Sequence, residues 1–144
     1  MEIALPMMAA DESVPDIGPH EDRELELMLG GRKPLAMFTE ISPDETGLIP
    51  EAEFAPYVES GRLVVREVFE PLEGVSEDSG RQFVRRVLYA LPGESWRIDA
   101  MLLVCRVAAN LRRWDEGLER VIGELLGYDK RQIDTFVERI KQVR

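Results

Sequence analysis

One cysteine and one histidine are all this chain holds of the two residues most often recruited for metal and nucleophilic chemistry. The single Cys105 excludes an internal disulfide. It lies in the run Met101–Leu102–Leu103–Val104–Cys105, where a thiol acts as a small buried hydrophobe rather than as a reactive group beside a cation. The single His20 stands in a Pro/Gly-flanked stretch remote in sequence from Cys105, so neither a Cys/His pair nor a zinc site of nitrogen and sulfur ligands is expected. Long apolar runs are missing too. The longest, Ala100–Cys105, falls far short of the roughly 18–20 residues that span a bilayer. The segment before Pro6 lacks a basic region, so no secretory signal is expected and the cytoplasm is the expected location.

Positive charge is scarce at one end of the chain. Residues 1–60 carry 14 Asp+Glu against 3 Lys+Arg, a net of -11, whereas residues 61–144 carry 14 against 15, a net of +1. The 144 residues, 44% hydrophobic and 32% charged, suit one folded domain with a sizeable core and do not suit a disordered chain. Such an asymmetry gives either a surface that steers a cationic partner or a solvated end that keeps the protein soluble.

Residues 1–20 read as an acidic, flexible tail, because Asp11–Glu12–Ser13–Val14–Pro15–Asp16–Ile17–Gly18–Pro19 mixes breakers with acids. Residues 21–144 then form one domain. Glu21–Leu29 predicts a short helix stopped by Gly30–Gly31, and Pro34–Ile41 a strand. Ser42–Gly47 is turn-rich. Pro50 opens a helix over Glu51–Glu59 that Pro56 keeps short or kinked and Gly61 ends.

The middle of the chain is β. Arg62–Phe69 and Phe83–Leu91 alternate and are rich in β-branched residues, and the Pro- and Gly-containing stretch Glu70–Gln82 joins them as an antiparallel pair. From Pro92 the period changes. Ser95 can cap a helix through Ile98, Met101, Leu102, Cys105 and Arg112; its apolar surface from Ala100 to Ala109 runs almost all round, the pattern of a central buried helix. A third strand over Trp96–Val104 is the rival reading, and length favours the helix. Leu102 and Leu125 are expected as fully buried core leucines, and Trp96 and Trp114 as core anchors. Asp115 can cap a helix bearing Leu118, Val121, Ile122, Leu125 and Leu126 that Gly127 stops. Asp129 and Gln132 resemble a capping box opening a last helix with Ile133, Phe136, Val137 and Ile140 inward. The fold class is therefore α+β: a small antiparallel sheet from the middle of the chain, packed against C-terminal helices.

The chemistry-bearing patterns are weak. Ser42–Pro43–Asp44–Glu45 lacks the alternating ligands and distal Glu of a calcium loop, and Gly30–Gly31–Arg32–Lys33 lacks a phosphate-loop spacing and reads as a helix stop. No serine has a histidine near in sequence, and so acidic a chain offers no distinctive carboxylate pair. No catalytic residue, metal site or cofactor is implied. Fifteen of the 18 cations are Arg, and among them Arg66, Arg85 and Arg86 lie on the strands. Their forks can grip an anion, or pair with neighbouring acids such as Glu67 and Glu70, which is the plainer reading.

Three functional readings follow. The first is an acidic interaction protein that docks a basic protein surface through Asp44, Glu45, Glu51, Glu53 and Glu59, with help from Glu21–Glu26. Its concrete form is an inhibitor or immunity-type protein whose clustered carboxylates stand in for a phosphate backbone against a nucleic-acid-binding or nuclease partner. Direct nucleic-acid or membrane binding is not expected. The second is an enzyme or small-molecule binder with an anion pocket between sheet and helices, where Arg66, Arg85 or Arg86 would converge with Tyr89 or Trp96. The third is a homo-oligomer, whose sign would be an exposed apolar face on the last two helices.

Overall fold

The computed structural model describes residues 20–42, 49–71, 82–111 and 113–143. The expected tail up to residue 19, the Asp44–Glu45 turn and most of the 70–82 connection lie outside these residues. The elements in chain order are helix α1 (Glu24–Leu29), strand β1 (Leu35–Ser42), helix α2 (Glu51–Glu59), strands β2 (Val64–Pro71) and β3 (Phe83–Ala90), and helices α3 (Trp96–Leu111), α4 (Glu116–Leu126) and α5 (Lys130–Val143). Three strands make one antiparallel sheet in the order β1-β3-β2. Both outer strands run antiparallel to β3, so they are parallel to each other, and α2 carries the chain from one edge to the other.

Strand alternation divides the interior in two. Leu35 and Met37 of β1 face the same way as Leu88 and Ala90 of β3, through the pairs Leu35↔Ala90 and Met37↔Leu88. They meet Ile98 and Met101 of α3, Ile122, Leu125 and Leu126 of α4, and Ile133, Phe136 and Val137 of α5. The alternate residues Ala36, Phe38, Val87 and Tyr89 face the other way, onto Met28 of α1 and Phe54 of α2. The sheet thus packs against the three C-terminal helices on one face and is covered by α1 and α2 on the other.

The helix ends follow their residues. Asp115 accepts from the Leu118 N–H at 2.9 Å, capping α4. Gly127 ends it with a φ of 92°, the Tyr128 N–H reaching back to the Gly123 carbonyl at 3.0 Å and the Gly127 N–H to Glu124 at 3.1 Å. A side chain at Gly127 would also strike Pro34. Asp129 and Gln132 cap α5 reciprocally, each side chain accepting from the other's backbone N–H at 2.8 and 2.9 Å. α4 and α5 close tightly because Gly123 leaves room for Ile133; a Cβ there would stand 2.8 Å from it.

α3 departs from expectation. Trp96–Leu111 is a helix rather than a third strand, yet it is not a central buried one. It packs on β3 and α4 along one side only: Ile98 and Met101 are buried in the core, whereas Trp96 (55% exposed), Leu103 (56%), Val107 and Leu111 form an outward stripe. Leu102 is only half-buried, unlike Leu125. Trp96 is no core anchor; the Arg97 guanidinium lies 4.8 Å from its ring centroid. Trp114 is half-buried and packs against the core. The exposed apolar face that would have marked a homo-oligomer on the last two helices is on α3 instead; α4 and α5 turn most of their apolar residues inward and expose Val121 and Val143.

This arrangement separates two kinds of leucine. Leu88→Ala, on the central strand and fully buried, should destabilise by about 2–5 kcal/mol. Leu103→Ala on the outward stripe should cost under about 1 kcal/mol. Urea denaturation of both variants checks the contrast.

Candidate functional site

A cleft of about 400 Å³ opens between α2 and the sheet. Helical spacing brings Glu51, Ala55, Val58 and Glu59 to the side of α2 that faces the cleft. Val65 and Glu67 come from β2, Val87 and Tyr89 from β3. The floor is apolar. Tyr89 stacks on Phe54 at 4.2 Å between ring centroids, and Phe38 meets both rings edge-on. The Tyr89 hydroxyl is pushed up to about 12 by burial first and by the Glu51 charge second, so the ring stays neutral and supplies surface rather than a proton.

Arg85 organises the acidic end of this cleft. The register sets it on β3 opposite Glu40 of β1 and Phe69 of β2, with Glu67 two residues along the same face. Its guanidinium donates to Glu40 at 2.7 Å, to Glu67 at 2.9 and 2.6 Å, and also to Glu51. Burial works against its charge, but the bonds to Glu51, Glu67 and Glu40 outweigh it and hold Arg85 above the ordinary arginine range. One cation and three carboxylates leave a local net charge of -2 before exposed Glu59 is counted. Glu40 is buried, whereas Glu51 and Glu67 are about half-exposed at the cleft.

Of the carboxylates picked out by sequence, Glu51 and Glu59 line the cleft. Glu53 is exposed but is not among its lining residues, and Asp44 and Glu45 lie outside the described residues. Glu40 and Glu67 were not singled out as site residues. The signal was there in part, since both sit at the strand parity of Arg85, but using it requires knowing that β3 lies between β1 and β2. The three arginines of the anion reading do not converge. Arg66 and Arg86 point to the opposite sheet face from Arg85: Arg66 pairs with Asp99 of α3, and the Arg86 Nε lies 3.5 Å from Glu70. Each has a carboxylate of its own, as the plainer reading has it.

Elsewhere, His20 is fully buried rather than the end of a loose tail. Its ring stacks on Tyr128 at 3.7 Å, and its Nδ1 is 2.9 Å from the Lys33 Nζ, which also donates to the Leu126 carbonyl at 2.8 Å. This cluster ties the chain before α1 to the end of α4. Cys105 is half-buried, and burial pushes its thiol up, away from the reactive thiolate. No group of three His, Cys, Asp or Glu among the described residues is arranged to hold a metal ion. Among the same residues, no helix is long and apolar enough to cross a membrane. Comparison with protein-family models, with curated proteins and with solved structures finds no match.

Two outcomes are expected. Burial, and then the charges of Lys33 and Arg23, lower His20 to about 3 from an ordinary 6.5. The unfolded chain therefore takes up a proton that the folded chain refuses. The stabilisation is complete above about pH 6.5 and is lost as pH falls towards 3, with a slope of up to ~1.4 kcal/mol per pH unit. His20→Gln keeps an acceptor for Lys33 and should flatten the dependence between about pH 7 and 5, measured by urea melts at each pH. Arg85→Met strands buried Glu40 without its cation and should destabilise by about 3 kcal/mol, whereas Glu59→Gln should stay within about 0.5. Thermal and chemical melts distinguish the two.

Proposed function

We propose that this protein is a small interaction protein that receives a basic segment of a partner protein in the α2–β2 cleft. The observation behind this reading is the charge imbalance at Arg85: three carboxylates on one guanidinium, with Glu59 added at the rim, over an apolar and aromatic floor. One carboxylate would neutralise Arg85; three leave a surplus of negative charge at the cleft. A surplus of half-exposed carboxylates attracts a cation from solution, and the floor receives the methylene stem of an arginine or lysine. An inhibitor or immunity-type protein acting on a nucleic-acid-binding or nuclease partner is the concrete form, with carboxylates standing where that partner expects phosphates.

The anion-pocket reading loses support because each of its three arginines already pairs with a carboxylate. Self-association is the second reading, and the outward stripe of α3 around Leu103 favours it.

The test is an NMR titration with N-acetyl-arginine amide and, separately, with inorganic phosphate. Arginine amide should shift the resonances of Ala55, Val58, Val65 and Tyr89, with an affinity that drops about tenfold between low salt and ~0.5 M salt and about tenfold in Glu59→Lys. Shifts with phosphate alone would return the anion reading to first place.

A further inference from the structure

The two edges of the sheet are not alike. β1 has Leu35–Phe38 at 0–2% exposure and in contact with α4, and only Ile41 near its end is an exposed apolar residue, whereas Val64, Val65 and Phe69 of β2 are all exposed and Phe69 reaches 52%. Along its eight residues β2 is bonded to β3 alone; among the described residues no backbone group pairs with its outer side. A long edge with apolar side chains is a template for another strand unless something blunts it. Lys, the usual blunting residue, is absent from β2; Arg66 and Glu70 are taken up in ion pairs on the helix face, Glu67 faces the cleft, and the one proline, Pro71, is the last residue of the strand. This edge also borders the acidic cleft, since Val65 and Glu67 belong to both.

We infer that the basic segment enters as an added β-strand along the outer edge of β2, an inference that rests on the cleft reading above. Register then dictates its sequence. On the cleft face β2 presents Val65, Glu67 and Phe69 at alternate positions. Opposite them an added strand places apolar, basic and apolar residues, the pattern apolar-x-basic-x-apolar. The basic residue meets Glu67, with Glu51 and Glu59 across the cleft from it. The apolar residues cover Val65 and Phe69 and remove the surface that makes the edge adhesive. Backbone hydrogen bonds supply affinity that does not depend on side chains, and the acidic cleft supplies the choice of partner.

The probe is the acetylated, amidated peptide Ser-Val-Ser-Arg-Ser-Leu-Ser, with two backbone-methylated forms carrying N-methyl groups on alternate residues in the two possible registers. A strand uses the N–H groups of one register only. One methylated form should therefore lose binding by about tenfold or more while the other binds like the parent. Alternate amides of β2 should gain protection from hydrogen exchange when the parent peptide is bound. A peptide with Glu in place of Arg should bind at least about tenfold more weakly. If both methylated forms bind like the parent, the segment is held by side chains only: strand addition is overturned and the cleft reading stands. If no peptide binds while N-acetyl-arginine amide still shifts the cleft, strand addition is overturned in the same way. If β2 amides are already protected in the free protein and lose that protection on dilution, the occupant of the edge is a second copy of the chain, which also overturns it. If neither the peptides nor arginine amide touches the cleft, the cleft reading fails, and this inference with it.

Discussion

Everything in this molecule meets at β3. Among the described residues it is the one strand paired on both sides, and its alternate residues build both halves of the interior: Leu88 and Ala90 towards the C-terminal helices, Val87 and Tyr89 towards α1 and α2. A strand buried on both faces cannot slip by one residue, because a slip would exchange every core contact for one of the wrong face. The same constraint places Arg85. At the parity of Val87 and Tyr89 it must enter the α2 side, and there it can remain charged only if acids surround it. Glu40 comes from one neighbouring strand, Glu67 from the other and Glu51 from the helix above, so the cluster records the topology in its partners.

The fold class could be read from the sequence because its signals are local. Alternation over Arg62–Phe69 and Phe83–Leu91, where the strands are Val64–Pro71 and Phe83–Ala90, the stop at Gly127, the cap at Asp115 and the reciprocal pair Asp129/Gln132 each act over a few residues, and each has its counterpart in the structure. What was not legible is what depends on neighbours distant in sequence. The apolar run of α3 is the clearest case. Its composition fits a helix surrounded by protein, but the described residues cover it on the inner side only, and nothing local to residues 96–111 records that. His20 is the converse. Flanked by Pro19 and a turn, it reads as the end of a tail, and only Tyr128 and Lys33, brought together by α4 and β1, make it a buried residue.

The candidate site was half-legible for the same reason. An acidic α2 is plain in the sequence, and Glu51 and Glu59 were singled out from it. That Glu40 and Glu67 join them follows from strand order, which two predicted strands and a candidate third do not determine. The grouping of Arg66, Arg85 and Arg86 failed as geometry because adjacent strand residues point to opposite faces: 85 and 86 cannot share a cleft, and 66 lies at the parity of 86 in the β2–β3 register.

The two faces of the sheet differ in how their charges are paired. On the helix side of the sheet, cations and acids are matched. Arg66 has Asp99, Arg86 has Glu70 and Arg97 has Glu94, while Arg120, Lys130 and Lys141 share the three acids Glu116, Asp134 and Glu138. Matched pairs at a surface contribute little to stability and add no net field. On the cleft side Arg85 faces three carboxylates, and the surplus charge disfavours folding through self-repulsion unless a cation arrives from outside. The sheet could have been closed there by one acid, or by apolar residues of similar size, at no loss of stability. Matched ion pairs in the helix layer, against a carboxylate surplus beside an apolar cleft and a strand edge with no partner among the described residues, are the contrast on which the proposed docking of a basic extended segment rests.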